Sequence, residues 1–270
     1  MRKVVAAAMA ALVVLSAAGA AYAVNTYEVI TGGSRGEGSP SRPSPGLVRF
    51  GFRVADTENL RPSPSIDYRI GAEGLKYFPQ ARPSCTYAQV SGSEISRRCR
   101  RALVGSGIAR NHTGPTPDRT VKLVCNLRVT LYNITGPGIN RRRGGLAIRL
   151  DADQKTITDP NSREIGCPIA IHTALKGVMH NVRIGGQPAS ELRFSVPENL
   201  AHPAPGLENA VVESDTTVRR LTGRVRVRGN MRRVGIYSSV GCNGNQRLSR
   251  VTFTDETGNR VTATDESNTC

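Results

Sequence analysis

Six cysteines constrain this chain more than any other feature of its sequence. An even number of cysteines in an exported chain indicates disulfides, and six cysteines allow 15 different pairings. A zinc site is the alternative, but the sequence has no C-x-x-C motif and no cluster of Cys and His. We therefore predict three disulfides and expect each cysteine to pair with its neighbour in sequence: Cys85–Cys99, Cys125–Cys167 and Cys242–Cys270.

The N-terminus has the features of a secretory signal. Two basic residues precede an apolar run that ends in the small-x-small motif Ala21-Tyr22-Ala23, which is typical of a cleavage site. A retained membrane anchor is the alternative, because the apolar run is nearly long enough to span a bilayer. We expect residues 1–23 to be a cleaved signal peptide. The mature chain would then begin at Val24, work in the cell envelope or outside the cell, and have no membrane span.

The charge of the chain restricts the classes of partner that it is expected to bind. The formal net charge is +16, and most of the 37 basic residues are arginine, whose planar fork suits carboxylate, phosphate and sulfate. An exported basic protein meets anionic cell-envelope polymers before it meets nucleic acid. Aromatic residues make up only 4% of the chain and no nucleic-acid-binding motif is present, which argues against a specific nucleic-acid partner. A GC-rich genome would produce the same arginine bias without selection for binding.

Short strands separated by Gly- and Pro-containing turns fill most of the sequence. The clearest is 65–75, in which Ile66, Tyr68 and Ile70 alternate with polar residues. The segment 32–46 is rich in Gly, Ser and Pro and is predicted to be a loop. Other strands are predicted at 24–30, 47–54, 102–109, 121–134, 145–150, 169–175, 178–184, 191–196 and 209–218. This spacing predicts an all-β fold of the β-sandwich or jelly-roll type.

One short helix and one hairpin complete the predicted architecture. Thr86 followed by Gln89 matches a capping box, so we expect a short helix that the first predicted disulfide staples. Residues 241–270 alternate apolar and polar side chains around a Gly-containing turn, which predicts a hairpin clasped by the last predicted disulfide. Residues 24–240 would form the sandwich domain, with the hairpin packed on it.

The sharpest local pattern is the arginine-rich segment 223–237. Its arginines alternate with Val225 and Val227, so one face of a strand is cationic and the other is apolar. We predict a two-residue turn at Gly229-Asn230, which places Arg233 opposite Arg226 on the cationic face. Four like charges on one face repel one another unless they are solvated or paired with anions. The candidate anion-binding residues are Arg224, Arg226, Arg228 and Arg233.

Alternatives remain for both arginine-rich stretches of the chain. Arg141–Arg143 form a second cationic stretch on a predicted loop tip and would assist in anion binding, or they are simply solvated. The predicted hairpin at 223–237, the arginine ribbon, would otherwise face solvent, and its charge would block edge-to-edge aggregation.

Motifs for catalysis or metal binding are weak in this sequence. Residues 32–36 match the pattern G-x-S-x-G, but no helix follows, as the nucleophile elbow requires. His172 and His180 would converge only from adjacent strands, and Asp151 and Asp153 lack the glycine-bearing calcium loop. We predict no metal, no cofactor and no enzymatic activity.

Several short stretches together resemble a known group of proteins. They are Cys85-Thr86, Cys99, 103–107, 125–127, 166–168, 194–212, 239–242 and the Thr-rich tail. In these stretches the chain is similar to a set of uncharacterised exported, disulfide-containing β-rich proteins of high-GC Gram-positive bacteria, which carry no catalytic signature. The resemblance implies export and a β-rich fold, and it implies no activity.

These observations favour an exported non-catalytic protein, structural or ligand-binding. Its expected partners are anionic cell-envelope polymers, bound through the arginine ribbon, or another extracellular protein. The alternative is a secreted hydrolase acting on carbohydrate, with a carboxylate pair that the sequence does not identify.

Overall fold

The computed structural model describes residues 25–33, 38–92 and 94–270, and the predicted signal peptide lies outside these ranges. Strands dominate, so the predicted all-β sandwich-like class is confirmed. The strands are β1 (Asn25–Gly33), β2 (Ser44–Pro45), β3 (Val48–Asp56), β4 (Ser65–Ala72), β5 (Leu75–Tyr77), β6 (Cys85–Thr86), β7 (Leu103–Pro115), β8 (Leu123–Thr135), β9 (Gly145–Ala152), β10 (Ile171–Ile184), β11 (Gln187–Ser195), β12 (Leu207–Val218), β13 (Thr222–Val227), β14 (Asn230–Gly235), β15 (Tyr237–Ser239), β16 (Arg247–Asp255) and β17 (Arg260–Ser267). Two single-turn helices, α1 (Ala88–Ser91) and α2 (Glu198–Ala201), and two 3-10 segments, Pro79–Ala81 and Arg97–Ala102, join them.

One large sheet forms the body of the protein. Its strands follow the order β1-β3-β12-β7-β8-β9-β10-β11-β4-β16-β17, and all neighbours in this order are antiparallel. The sheet curls until its first and last strands meet, where the Thr31 hydroxyl donates to Asp265 Oδ2 at 2.6 Å. The result is a nearly closed sandwich whose apolar side chains face one another across the interior.

Two smaller sheets cover parts of this body. The first pairs β2, β15 and β5, and its Tyr237 packs against Tyr77 and Phe50. The second is the two-stranded ribbon of β13 and β14. The sequence predicted a loop throughout 32–46, but Gly32 and Gly33 belong to β1 and Ser44–Pro45 form β2, and residues 34–37 lie outside the described residues.

The segment between Cys85 and Cys99 covers the outer face of the main sheet. The capping box is present, because Thr86 N–H donates to Gln89 Oε1 (2.9 Å) and Gln89 N–H donates to the Thr86 hydroxyl (3.4 Å). The predicted stapled helix is confirmed, although it has only one turn. Arg149 of β9 donates to two carbonyl oxygens of this segment and fixes it to the sheet.

In the second half of the main sheet, one strand prediction is wrong. Residues 169–175 and 178–184 were expected to form two strands, but β10 runs without a break from Ile171 to Ile184. Gly177, at the expected break, faces the neighbouring strand: a Cβ atom there would lie 2.6 Å from Leu192 Cδ1. Glycine at this position therefore permits a close approach between strands and does not form a turn.

The three predicted disulfides are all present with nearest-neighbour connectivity. The C-terminal hairpin is confirmed as well, because Val251 lies opposite Ala263 and Phe253 opposite Val261. Its first strand, β16, also pairs with β4, so the hairpin is part of the main sheet.

Candidate functional site

The arginine ribbon has the faces that its sequence predicts. Val225, Val227 and Val234 are buried and pack with Ala81 and the partly buried Phe78. The four candidate anion-binding residues, Arg224, Arg226, Arg228 and Arg233, are all exposed, whereas Arg232 lies opposite Val225 on the apolar face and is partly buried. Alternation along the strand thus separates a small apolar core from a cationic surface.

The turn of the ribbon differs from the prediction. The two central residues are Arg228 and Gly229, not Gly229 and Asn230, and both have positive φ (47° and 85°) as a type I′ turn requires. Arg233 consequently lies opposite Arg224, and Met231 takes the place opposite Arg226. The correction shifts the pairing by two residues, and a shift of two leaves every side chain on its predicted face.

Arg220 extends the cationic surface toward the base of the ribbon. Together with Arg233, Thr222 and Pro45 it lines an open groove of about 420 Å³. The Arg233 guanidinium donates from Nε to the Thr222 hydroxyl at 3.1 Å, which leaves its two terminal nitrogens for a ligand. Sequence reasoning missed Arg220 because it precedes the alternating run and belongs to no motif.

The triple-arginine loop, Arg141–Arg143, and the ribbon both contact the 3-10 segment Pro79–Ala81. Gln80 Nε2 donates to the backbone oxygen of Arg141 at 3.2 Å, and its neighbour Ala81 packs against the apolar face of the ribbon. Arg141–Arg143 are exposed, as predicted. The 3-10 segment Pro79–Ala81 therefore contacts both cationic segments.

Carboxylates neutralise many arginines of the main sheet. Arg49 makes two hydrogen bonds with Asp215, both 2.7 Å long, and Arg193 and Arg250 both bind Glu191. Among the described residues no carboxylate lies within 4.0 Å of the charged nitrogens of Arg220 or of the four candidate anion-binding residues. The cationic surface at the ribbon is thus open to an external anion.

The buried carboxylates have structural surroundings. Burial alone would raise the pKa of Glu191, but the hydrogen bonds from Arg193 and Arg250 outweigh it and hold that pKa below its usual value. Glu213 likewise lies within ion-pair distance of Arg110 and Arg163. A general acid of a glycosidase needs a raised pKa, so the lowered pKa of Glu191 does not favour that role.

The other candidate site residues are placed as follows. His172 contacts Asp151 (Nδ1 to Oδ1, 3.2 Å) and lies 3.7 Å from Asp153, and His180 is eight residues further along the same strand. Within residues 25–33, 38–92 and 94–270, no group of three or more His, Cys, Asp or Glu could hold a metal ion. Most of the G-x-S-x-G match lies outside the described residues.

No helix in the part of the chain that the structure describes has the length and apolar character that a membrane crossing requires. Comparisons with protein families, with curated proteins and with solved structures find no match to this chain. The function therefore has to be argued from the chemistry of its own surfaces.

Proposed function

We propose that this chain is an exported non-catalytic protein of the cell envelope or the extracellular space, and that it binds anionic polymers on its arginine ribbon. The observation that carries the proposal is the open cationic surface: Arg224, Arg226, Arg228 and Arg233 are exposed with no carboxylate beside them in the described chain. Three disulfides fit an oxidising compartment outside the cytoplasm.

The geometry of the ribbon suits a polymer with regularly spaced anionic groups. Arg224 and Arg226 are two residues apart on one face, which separates their Cα atoms by roughly 7 Å. Arg233 lies directly opposite Arg224, and cross-strand neighbours are about 5 Å apart. A polymer with a charge on every unit would meet several guanidinium groups in succession.

Charge repulsion supports the same interpretation. Two arginines opposite each other destabilise a strand pair when no anion lies between them. A bound carboxylate, sulfate or phosphate would remove this repulsion and gain bidentate hydrogen bonds from the guanidinium fork. Because the contacts are exposed, we expect binding that weakens as salt rises.

The test compares two variants with the same loss of charge. In the ribbon variant, Arg224, Arg226, Arg228 and Arg233 are all changed to Ser. In the control, four exposed arginines of the disulfide-held segment are changed to Ser: Arg97, Arg98, Arg100 and Arg101. Both oxidised proteins and the native chain are titrated with teichoic-type polymer, polyuronate and a neutral glucan at physiological salt.

We expect the native chain and the control to bind a polyanion, and the ribbon variant to bind it at least tenfold more weakly. Equal losses in the two variants would show that only net charge matters, and the ribbon would then not be a site. Failure of the native chain to bind any polyanion would refute the proposal outright.

A further inference from the structure

The interior of the main sheet contains a cavity of about 100 Å³. Its walls come from β3, β4 and β7 to β12, and most of them are Leu, Ile, Val and Phe side chains. None of the described residues that line it is charged. For comparison, an engineered cavity of about 150 Å³ with similar walls stays dry and binds benzene.

Two side chains lie at opposite ends of this cavity. Leu200 of α2 lies beside Asn209, near the start of β12, because Asn209 Nδ2 donates to the Leu200 oxygen at 3.0 Å. Tyr237 of β15 packs against Phe50, whose partner on β12 is Thr216, near the other end of that strand. The cavity therefore runs along the inside of β12, between the α2 segment and the small sheet.

One wall carries a hydrogen-bond acceptor without a donor. Asn111 is only 3% exposed, and its Nδ2 donates to Asn209 Oδ1 at 3.1 Å. Its Oδ1 is buried and has no partner among the described residues. An unpaired buried carbonyl of this kind is unfavourable, so a ligand donor at this point would be stabilising.

Two hydroxyl groups lie on another wall. Ser65 and Tyr68 of β4 are buried and line the cavity. Neither forms a hydrogen bond of normal geometry within the described chain. Burial raises the pKa of Tyr68, so its hydroxyl stays protonated and remains a donor.

We propose that this cavity binds a small neutral molecule with an apolar body, about the size of phenol, and one hydroxyl or N–H donor directed at Asn111. The apolar walls take the body of the ligand, and the lack of any charged lining residue excludes an ion. The site is separate from the ribbon, so its existence does not depend on polymer binding.

The probes are phenol, benzene and benzoate, each titrated into the native oxidised chain. Binding is followed by the methyl resonances of the lining Leu, Ile and Val side chains and by the midpoint of thermal unfolding. We expect saturable binding of phenol, binding of benzene about fivefold weaker because one hydrogen bond is lost, and no binding of benzoate.

Three variants locate the site. Ala109→Leu adds three carbons at the cavity wall and should abolish phenol binding, whereas Val261→Leu, at an exposed position on β17, should leave it unchanged. Asn111→Leu removes the acceptor and should bring phenol down to the affinity of benzene. Arginine-to-Ser changes in the ribbon should have no effect.

The comparison of the three probes needs no variant, so a misfolded variant cannot mask a failure. The absence of saturable phenol binding to the native chain would overturn the proposal, and the three polar groups would then be satisfied by water alone. Equal affinities for phenol and benzene would overturn the role of Asn111. Phenol binding that survives in Ala109→Leu would place the ligand elsewhere.

Discussion

The guanidinium of Arg61 lies 3.2 Å from Glu208, and its side chain is completely buried. It also donates to three backbone oxygens, those of Pro115, Asp118 and Val121. Arg61 thus connects the segment after β3 to the β7–β8 loop and to the start of β12. A charged group in such a place is stable only while all of its partners remain.

Replacing Arg61 with Leu should lower the free energy of unfolding by about 3 kcal/mol. The substitution leaves a carboxylate and three carbonyl oxygens without their donor in a buried position. Arg49→Leu, which breaks an ion pair at a position where the arginine is about half exposed, should cost less than about 1 kcal/mol. Urea unfolding of both variants gives the two values, and equal values would contradict this interpretation of Arg61.

Replacing Arg228 with Asn should stabilise the ribbon by about 0.5–1 kcal/mol. Arg228 has φ of 47°, which a long side chain adopts at a cost, whereas Asn-Gly is the preferred pair of a type I′ turn. Arg226→Asn removes the same charge from a strand position and should not stabilise. Unfolding monitored by amide exchange of β13 and β14 separates the two outcomes, and a destabilised Arg228→Asn would refute the turn assignment.

Local chemistry explains what the sequence predicted correctly. The capping box of Thr86 and Gln89 and the alternation around Val251 depend on neighbours in sequence, so they can be recognised without a fold. The face of the ribbon arginines was also predictable, even with the wrong turn, because a two-residue shift preserves the alternation. The turn itself was ambiguous because Gly229 can occupy either central position of a primed turn.

Long-range packing explains what the sequence did not reveal. The apolar run of β9 looks the same whether its side chains fill a core or line a cavity, so nothing in the sequence indicated the interior cavity. The contact between Thr31 and Asp265, which brings the two edges of the sheet together, joins residues from opposite ends of the chain. Strands were predicted separately at 169–175 and 178–184, and the role of Gly177 between them, the close approach of Leu192, depends on the neighbouring strand.

Removing the Cys125–Cys167 disulfide should destabilise the protein more than removing Cys85–Cys99. The first closes a sequence separation of 42 residues and the second a separation of 14, and both cysteines of the longer loop are fully buried. The chain-entropy model gives about 4 and about 3 kcal/mol, respectively. Urea unfolding of the two double Cys→Ala variants measures both, and the reverse order would show that native packing outweighs loop entropy here.

The ion pair of His202 and Glu256 should make stability fall as pH rises above neutrality. The hydrogen bond with Glu256 raises the pKa of His202 above its ordinary value, against the opposing effect of burial, and the charge of Glu208 adds to the rise. A raised folded-state pKa stabilises fully below the unfolded-state pKa of about 6.5, and this contribution is lost as pH rises through the folded-state value. Both side chains are about one-third exposed, so the change should be below about 1 kcal/mol.

The control for this prediction has to remove the effect of a second histidine, His112, on the pH dependence of stability. Burial, with smaller contributions from Lys122 and Arg110, lowers the pKa of His112 to about 4, so its contribution to stability is lost as pH falls below 6.5 and has the opposite sign. Free energies of unfolding are therefore compared between pH 6.5 and pH 8.5 for the native chain and for His202→Gln, because the contribution of His112 is common to both proteins and cancels in the difference. His202→Gln should flatten the decline in this interval. An unchanged decline in that variant would show that His202 does not cause it.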